Sequence, residues 1–466
     1  MNIQSLIQDT FGVKVYGYQK SVTASRKAAR VYVGTPEWCE EDGIRTVNFA
    51  KTICSEVARL VMLGTKIEFS GARGEYMQTT LDKQYYRLRE WQEYADAYGT
   101  IVIKPNGEDY ECIMPWEFYI TEVKDGDVRA AVFMEQQKVD DDWYTRLEYH
   151  RLEKVKAEDG SETQLYRISN RCFTGKSKTS FEHEVDIRNT PWSTLQPDVD
   201  VQNVEQPLFA VLRTPQANGI DTDCPLGLPI FADAEEELRD LDVAYSRMNE
   251  EIHDSRKIVL MDADRLMVDG GKIDKPATRI GKLNTARENM GLPHFIKAIN
   301  EDNEGKPIYN EIAPTLNTEE RLKGINHLLS QIGYKIGFAN GYFVFNEASG
   351  IQTATGVEAN EQRTIQFIKD CRDRMEKALR ELIYAISAFA SLYDLAPAGE
   401  FDVTFQFGDI TYNEDEDRKR WWGYVTTGKV PFWYYLVKFE GFTDEEAKKL
   451  EKSARLDTSP YPFTEE

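Results

Sequence analysis

The chain has 466 residues, enough for about three folded units at a prior of roughly 150 residues each, so a real core is available. Lys and Arg total 57 against 79 Asp and Glu, a formal net charge of -22, which disfavours a protein that wraps nucleic acid over its whole surface; 41% hydrophobic and 12% aromatic residues exclude a disordered or collagenous chain. No stretch approaches the run of about 18 apolar residues that a spanning helix needs, and the N-terminal MNIQSLIQDTFGVKVYG lacks a signal-peptide layout, so synthesis in the cytosol is expected.

The first clear periodic segment is 47–63, which places Ile53, Val57, Leu60 and Val61 on one helical face. A second amphipathic helix is predicted over 79–100, closed by Gly99. From 101 to 173 the runs become β-rich (IVIKP, ECIMPWEFYI, DVRAAVFMEQQKV, DWYTRLEYHRLEKV, TQLYRISNRCF) and are separated by Asn-Gly, Asp-Gly and Glu-Asp-Gly turns, which predicts an antiparallel meander packed on helices. At 170–180, NRCFTGKSKTS ends like a phosphate-binding loop in Gly175-Lys176-Ser177. The glycine required five positions earlier is Asn170, however, and the residues that follow are polar and acidic, so an exposed basic loop is the reading. Residues 190–230, rich in Pro and polar residues, are expected to form a long connection ending in PLGLP.

From 231 the apolar residues Phe231, Ala234, Leu238, Leu241, Tyr245, Met248 and Ile252 hold a 3,4 spacing for three heptads. Asp233, Glu235 and Glu236 suit the start of that helix. A second such helix is predicted from Asn317-Thr318, with Leu322, Ile325, Leu329, Ile332 and Ile336 as its seam. Two long helices with heptad seams should pack side by side. Between them, 257–316 alternates short β-like runs (KIVLM, HFIKAIN, KPIYNEIA) with Gly, Pro and Asp clusters, a small β-containing tip on a two-helix rod. FANGYFVFNEASGIQTAT then breaks the helix as a loop. A third helix is predicted from about 356 to 394, in register except at Arg372 and roughly 55 to 60 Å long. The tail opens on a strand-like FDVTFQF and continues as three short helices, the first two ended by Gly428 and Gly441 and the third begun by a Thr443/Glu446 capping box. Helical rods of this kind expose much surface per residue, which lateral association in an oligomer would cover.

Motifs for chemistry are absent. The five histidines are never within five residues of one another, and the six cysteines have no pair closer than 15 positions, so neither a zinc pattern nor a disulfide framework is present. No GxSxG elbow occurs, and the acidic runs at 139–143 and 413–417 lack the spacing and glycine of a calcium loop. No catalytic residue, metal or cofactor is expected, and the cysteines read as reduced.

The order of elements resembles a portal protein of the tailed bacteriophages, the ring at one capsid vertex through which DNA passes. Three segments carry the resemblance: PLGLPIFADAEEELRDLDVAYSRMNEEIHDSRKIVL, RLKGINHLLSQIGYKIGFANGYFVFNEASGIQTATGVEANEQRTIQFIKDCRDRMEKALRELI, and FGDITYNEDEDRKRWWGYVTTGKVPFWYYLVKFEGFTDEEAKKL. The resemblance implies an α+β portal fold with an α+β wing (1–230), stem helix 1 (231–256), a clip (257–316), stem helix 2 (317–339), a tunnel loop (340–354), a long wing helix (355–396) and a helical crown (397–466). It also implies a non-enzymatic ring of about twelve copies in the virion, assembled in the host cytoplasm, with no membrane partner. Major capsid protein or scaffold would surround the wing, terminase and later a head-completion adaptor would dock at the clip, and double-stranded DNA would pass without sequence specificity. An acidic, mostly repulsive channel would let DNA slide, because it avoids the counterion release that basic walls produce.

Candidate channel residues follow from that placement. On the second stem helix, Lys323, His327 and Lys335 lie away from the seam, although ordinary surface charges between subunits would look the same. In the tunnel loop, Tyr342, Phe343 and Phe345 are expected to anchor one end while Asn346, Glu347 and Ser349 face the channel. The rival readings are a hydrolytic, carbohydrate-active enzyme using distant carboxylates, and another virion neck component. The first leaves the paired heptad helices unexplained, and neck adaptors are normally much shorter.

Overall fold

The computed structural model describes residues 2–106, 109–156, 162–254, 258–262, 296–299, 309–312, 317–344, 354–397, 399–408 and 414–456. The chain divides into two compact units, one formed by 1–61 and 68–404 and the other by 62–67 and 405–466.

The larger unit opens with three helices that sequence reading did not single out: α1 (Ile3–Phe11), α2 (Gln19–Tyr32) and α3 (Glu37–Asp42). Asn2 caps α1 through its side chain, and Leu6 and Ile7 from that helix enter a core with Leu147, Tyr149 and Phe173. In α4 (Phe49–Met62) the predicted face of Ile53, Val57, Leu60 and Val61 is buried. The single helix expected over 79–100 is two helices, α5 (Gly74–Asp82) and α6 (Tyr85–Tyr98). The break at Lys83-Gln84 is a tight turn in which Gln84 N donates to Leu81 O and Arg87 N to Gln84 O. Leu81, Leu88, Trp91 and Ala95 are nevertheless all buried, so the apolar phase runs through the break and periodicity could not reveal it.

Strands β2 (Thr100–Asn106) and β3 (Asp109–Ile113) form one sheet, and β4 (Phe118–Lys124), β5 (Asp127–Val139), β6 (Asp142–Lys156), β7 (Glu162–Gly175) and β8 (His183–Val185) form an antiparallel meander. Asp125 and Gly126 both take positive φ between β4 and β5, the two-residue turn that an Asp-Gly pair favours. Residues 190–230 are more than a connection: β9 (Asp198–Gln202) pairs with β7, and β10 (Ala210–Arg213) pairs with β2. At four and five residues these strands are too short to register as a pattern. Gly99 permits the return of this segment, because a Cβ there would lie 2.4 Å from Gly227 O, and its φ of +84° is open to glycine.

A buried polar cluster joins the two sheets. Glu148 accepts from Lys104, Arg146 and His150 Nε2, while His150 Nδ1 meets the Tyr166 hydroxyl at 2.7 Å and Leu208 N donates to the same hydroxyl. Burial opposes the Glu148 charge, but Lys104, His150 and Arg146 hold its carboxyl well below the usual range; burial keeps His150 neutral. A neutral ring that receives the Tyr166 proton on Nδ1 carries its own proton on Nε2, facing Glu148.

The first long helix, α7 (Glu235–Asp254), starts later than expected. Ala232 N donates to Pro229 O and Ala234 N to Phe231 O, so a 3₁₀ turn takes the first three positions. The second, α8 (Thr318–Ile336), packs along it. Between them, β11 (Ile258–Asp262) pairs in parallel with β12 (Ile296–Ile299) and antiparallel with β13 (Tyr309–Ile312). The third, α9 (Ala354–Leu392), has 39 residues and spans about 58 Å. Strand β14 (Phe401–Gln406) pairs with β1 (Lys66–Gly71).

In the smaller unit, Gly408 N donates to Leu63 O, and α10 (Glu414–Thr426), α11 (Phe432–Glu440) and α12 (Asp444–Leu456) follow. Gly441 ends α11 in the left-handed conformation, and Thr443 and Glu446 exchange the bonds of a capping box. Trp421 stacks on Tyr434, and Lys438 sits 3.9 Å from the Trp421 ring centroid. No residue of α11 is buried, although its sequence is FWYYLVKFE.

Candidate channel site

The turn that ends α8 is built from two glycines and a set of rings. Gly337 has φ +126°, and a Cβ on it would meet Phe367 Cγ at 2.8 Å; a Cβ on Gly333 would lie 3.2 Å from Phe343. These absent side chains admit Phe338, which is fully buried, with Tyr342, Phe343 and Phe367 around it at centroid distances of 4.8, 4.8 and 5.8 Å. Phe49 of α4 closes edge-on against Phe343 at 5.2 Å.

Polar bonds complete the attachment. Ala339 N donates to Thr364 Oγ1 of α9 at 2.8 Å, and the Tyr342 hydroxyl donates to Glu56 Oε1 of α4 at 2.5 Å. Arg59 donates to both Glu56 oxygens, which lowers the Glu56 pKa against the opposing effect of burial. Burial, and then the bond to Glu56, raise the Tyr342 hydroxyl. The start of the loop, Asn340 to Val344, is thus bolted to α4 and α9. Phe345, Asn346, Glu347 and Ser349 lie outside the described residues.

The two long helices differ along their length. At and just before the α7 start, Phe231, Ala234, Leu238 and Leu241 are buried, as are Ile325, Leu329, Ile332 and Ile336 of α8, which packs along it. Further along α7 the same seam opens: Tyr245 and Met248 are half-buried and Ile252 is 47% exposed. Asp242, within the buried stretch, accepts from Trp38 Nε1 and Val47 N and so straps the segment after α3 onto the helix; burial raises its pKa.

The three residues singled out on α8 occupy different surroundings. Lys323 is exposed and pairs with exposed Glu320 at 3.1 Å, a contact of small energetic value. His327 is exposed. Lys335 pairs with Glu237 of α7 at 2.6 Å and donates to Asp233 O, so its charge is used between the two helices.

The family model for phage portal proteins of the SPP1 Gp6-like type matches residues 45–458, a span that contains both long helices, the strands between them, α9 and the terminal helices. The chain belongs to the phage portal proteins. This family is structural, which places the chain among virion head-tail connector components. Among solved structures, a chain from the neck of a native GTA particle, computed with C12 symmetry, is 12% identical, with 94% of each chain covered and a TM-score of 0.36. No curated protein matches the sequence.

Several polar residues buried or half-buried in this portal protein carried little or no sequence signal. Arg372 interrupts the α9 stripe because its guanidinium donates to Leu60 O and Val61 O, carbonyls of the last turn of α4. Asp242 likewise occupies a buried position, and Glu381 a half-buried one, where a helical pattern predicts an apolar residue or offers no signal. A charge in the apolar stripe was the only trace, and only Arg372 showed it. Among the described residues, no group of three His, Cys, Asp or Glu side chains is placed to hold a metal, and no helix is long and apolar enough to cross a membrane.

Proposed function

We propose that the chain is the repeating subunit of a closed portal ring of about twelve copies at one capsid vertex, through which DNA is packaged and ejected. The observation that carries the reading is the family match over 45–458, which runs from α4 to the terminal helices. Unburied apolar surface supports it: α11 buries none of its residues, and Trp422, Tyr434 and Ile252 are 48, 43 and 47% exposed in the single chain. A head-to-tail neighbour in a ring would cover such surface.

In this reading, 1–230 with 355–396 form the wing against capsid protein or scaffold, 231–256 and 317–339 the stem, and 397–466 the crown. The segment 257–316 is the clip, where terminase docks during packaging and a head-completion adaptor afterwards. Asn346, Glu347 and Ser349 meet the DNA, and Lys323 and His327 line the stem. Substituting Asn346, Glu347 and Ser349 together by lysine tests the placement. Rings should still assemble, while DNA packaging in a defined reaction should slow in a salt-sensitive way, because added cations bind phosphate by counterion release. Unchanged packaging at low salt, with rings confirmed by microscopy, would remove this loop from the channel.

A further inference from the structure

Helix α9 presents Arg374, Lys377, Glu381 and Tyr384, spaced three and four apart and all half-buried, towards β10 and the start of β5. A cavity of about 780 Å³ lies among these elements, in the size range of small-molecule sites. Its charges are unevenly matched. Lys377 pairs with Asp127, and Arg380 with Glu376, so those two cations are neutralised in place.

Three guanidinium groups are not. Arg374 and Arg129 make no hydrogen bond or ion pair among the described residues, and Arg129 Nε is buried without a partner. Arg213 donates a single bond, from Nη1 to Pro225 O at 2.7 Å. Burial, and then the neighbouring Arg374 charge, lower the Arg213 pKa, the mark of like charges gathered in a confined space. The carboxylate beside them, Glu381, already accepts the Val211 N–H, and burial pushes its pKa up to about 7, so at neutral pH it supplies only part of a negative charge. Phe209 and Ile383 make the wall beside these groups apolar, which strengthens the field inside.

Asp373 also lines the cavity, so three guanidinium groups face one carboxylate and the partly charged Glu381, and a surplus of positive charge remains. Guanidinium forks match the oxygens of a phosphate group, and two or more of them suit an anion carrying two or more charges. We propose that the cavity formed by Arg129, Arg213 and Arg374 is a binding site for a small phosphate-bearing anion of at least two charges. The inference rests on the cavity alone and does not depend on the portal reading.

Isothermal titration of the full chain with inorganic pyrophosphate, and separately with ADP, at constant ionic strength in a chloride buffer tests it. Saturable binding is expected, weakened about tenfold or more by Arg374→Gln and by Arg129→Gln, the loss that removing one charge-assisted bond produces. ADP binding tighter than pyrophosphate would assign a nucleotide, and equal affinities the phosphate group itself. Thermal unfolding supplies a readout that a purely structural arginine would not give. Without phosphate, Arg374→Gln should melt no lower than the native chain, because it relieves repulsion; with pyrophosphate the native chain should gain and the variant should not. No saturable heat up to about 10 mM, well beyond a millimolar site, or equal binding by native chain and variants, would overturn the proposal.

Discussion

Replacing Glu381 by glutamine should stabilise the larger unit at alkaline pH and much less at acid pH. Glutamine keeps an oxygen to accept the Val211 N–H, so the substitution removes the titration and little else. Burial is the main cause that raises the Glu381 pKa from 4.5 to about 7; Asp127 adds to it, while the Val211 N–H, Lys377 and Arg129 oppose it. A carboxyl raised in the fold contributes stability that is fully present below its unfolded pKa and is lost as pH rises through the folded value. Between 4.5 and about 7 that loss accumulates to about 3 kcal/mol. At pH 5.5 about 1 kcal/mol has gone, so the advantage of the glutamine variant should grow by about 2 kcal/mol between pH 5.5 and 8.5. That window also stays clear of the isoelectric point near 4.9, where solubility is lowest. The assay is urea unfolding of both proteins across the window in phosphate-free chloride buffer, followed by tryptophan fluorescence. A stability difference that stays flat with pH would refute the assignment of a buried, raised carboxyl at this position.

Two further substitutions probe the attachments of the candidate channel site. Gly337→Ala would force a side chain into left-handed backbone against the Phe367 ring, at a cost of about 1 to 3 kcal/mol, read as a lowered urea midpoint; an unchanged midpoint would mean the turn relaxes freely. Arg372→Met would leave Leu60 O and Val61 O without these donors in a buried site, a loss of about 2 to 4 kcal/mol, and Arg372→Lys should recover only part because an ammonium lacks the fork; full recovery by lysine would contradict the two-carbonyl arrangement.

What the sequence disclosed and what it withheld follow a physical division. Local rules were legible: the α4 face, Gly99 and Gly441 as helix ends, the Asp125-Gly126 turn and the Thr443/Glu446 box each depend on residues within a few positions. The seam of α7 and α8 was legible for the same reason, although Ile252 shows that a heptad position need not be buried by its own chain. Long-range pairing was not legible. Strand β10 meets β2 more than a hundred residues away, and its four residues carry no period of their own. Buried charges were hidden for a related reason: Lys104 and Glu148 look like ordinary solvated positions until the fold supplies their partners. In the candidate site, the ring-forming residues Tyr342 and Phe343 stood out by type, whereas Glu56, Arg59 and Thr364, which hold the same turn, lie on other helices and gave no sign.

The most direct test of the portal reading is native mass spectrometry of the purified 466-residue chain at micromolar concentration. Closure into a head-to-tail ring predicts a discrete species of about twelve or thirteen copies, near 640 kDa for twelve chains of 53.6 kDa each, with a central hole when the same sample is imaged. A stable monomer, with no larger species at any salt concentration, would contradict it.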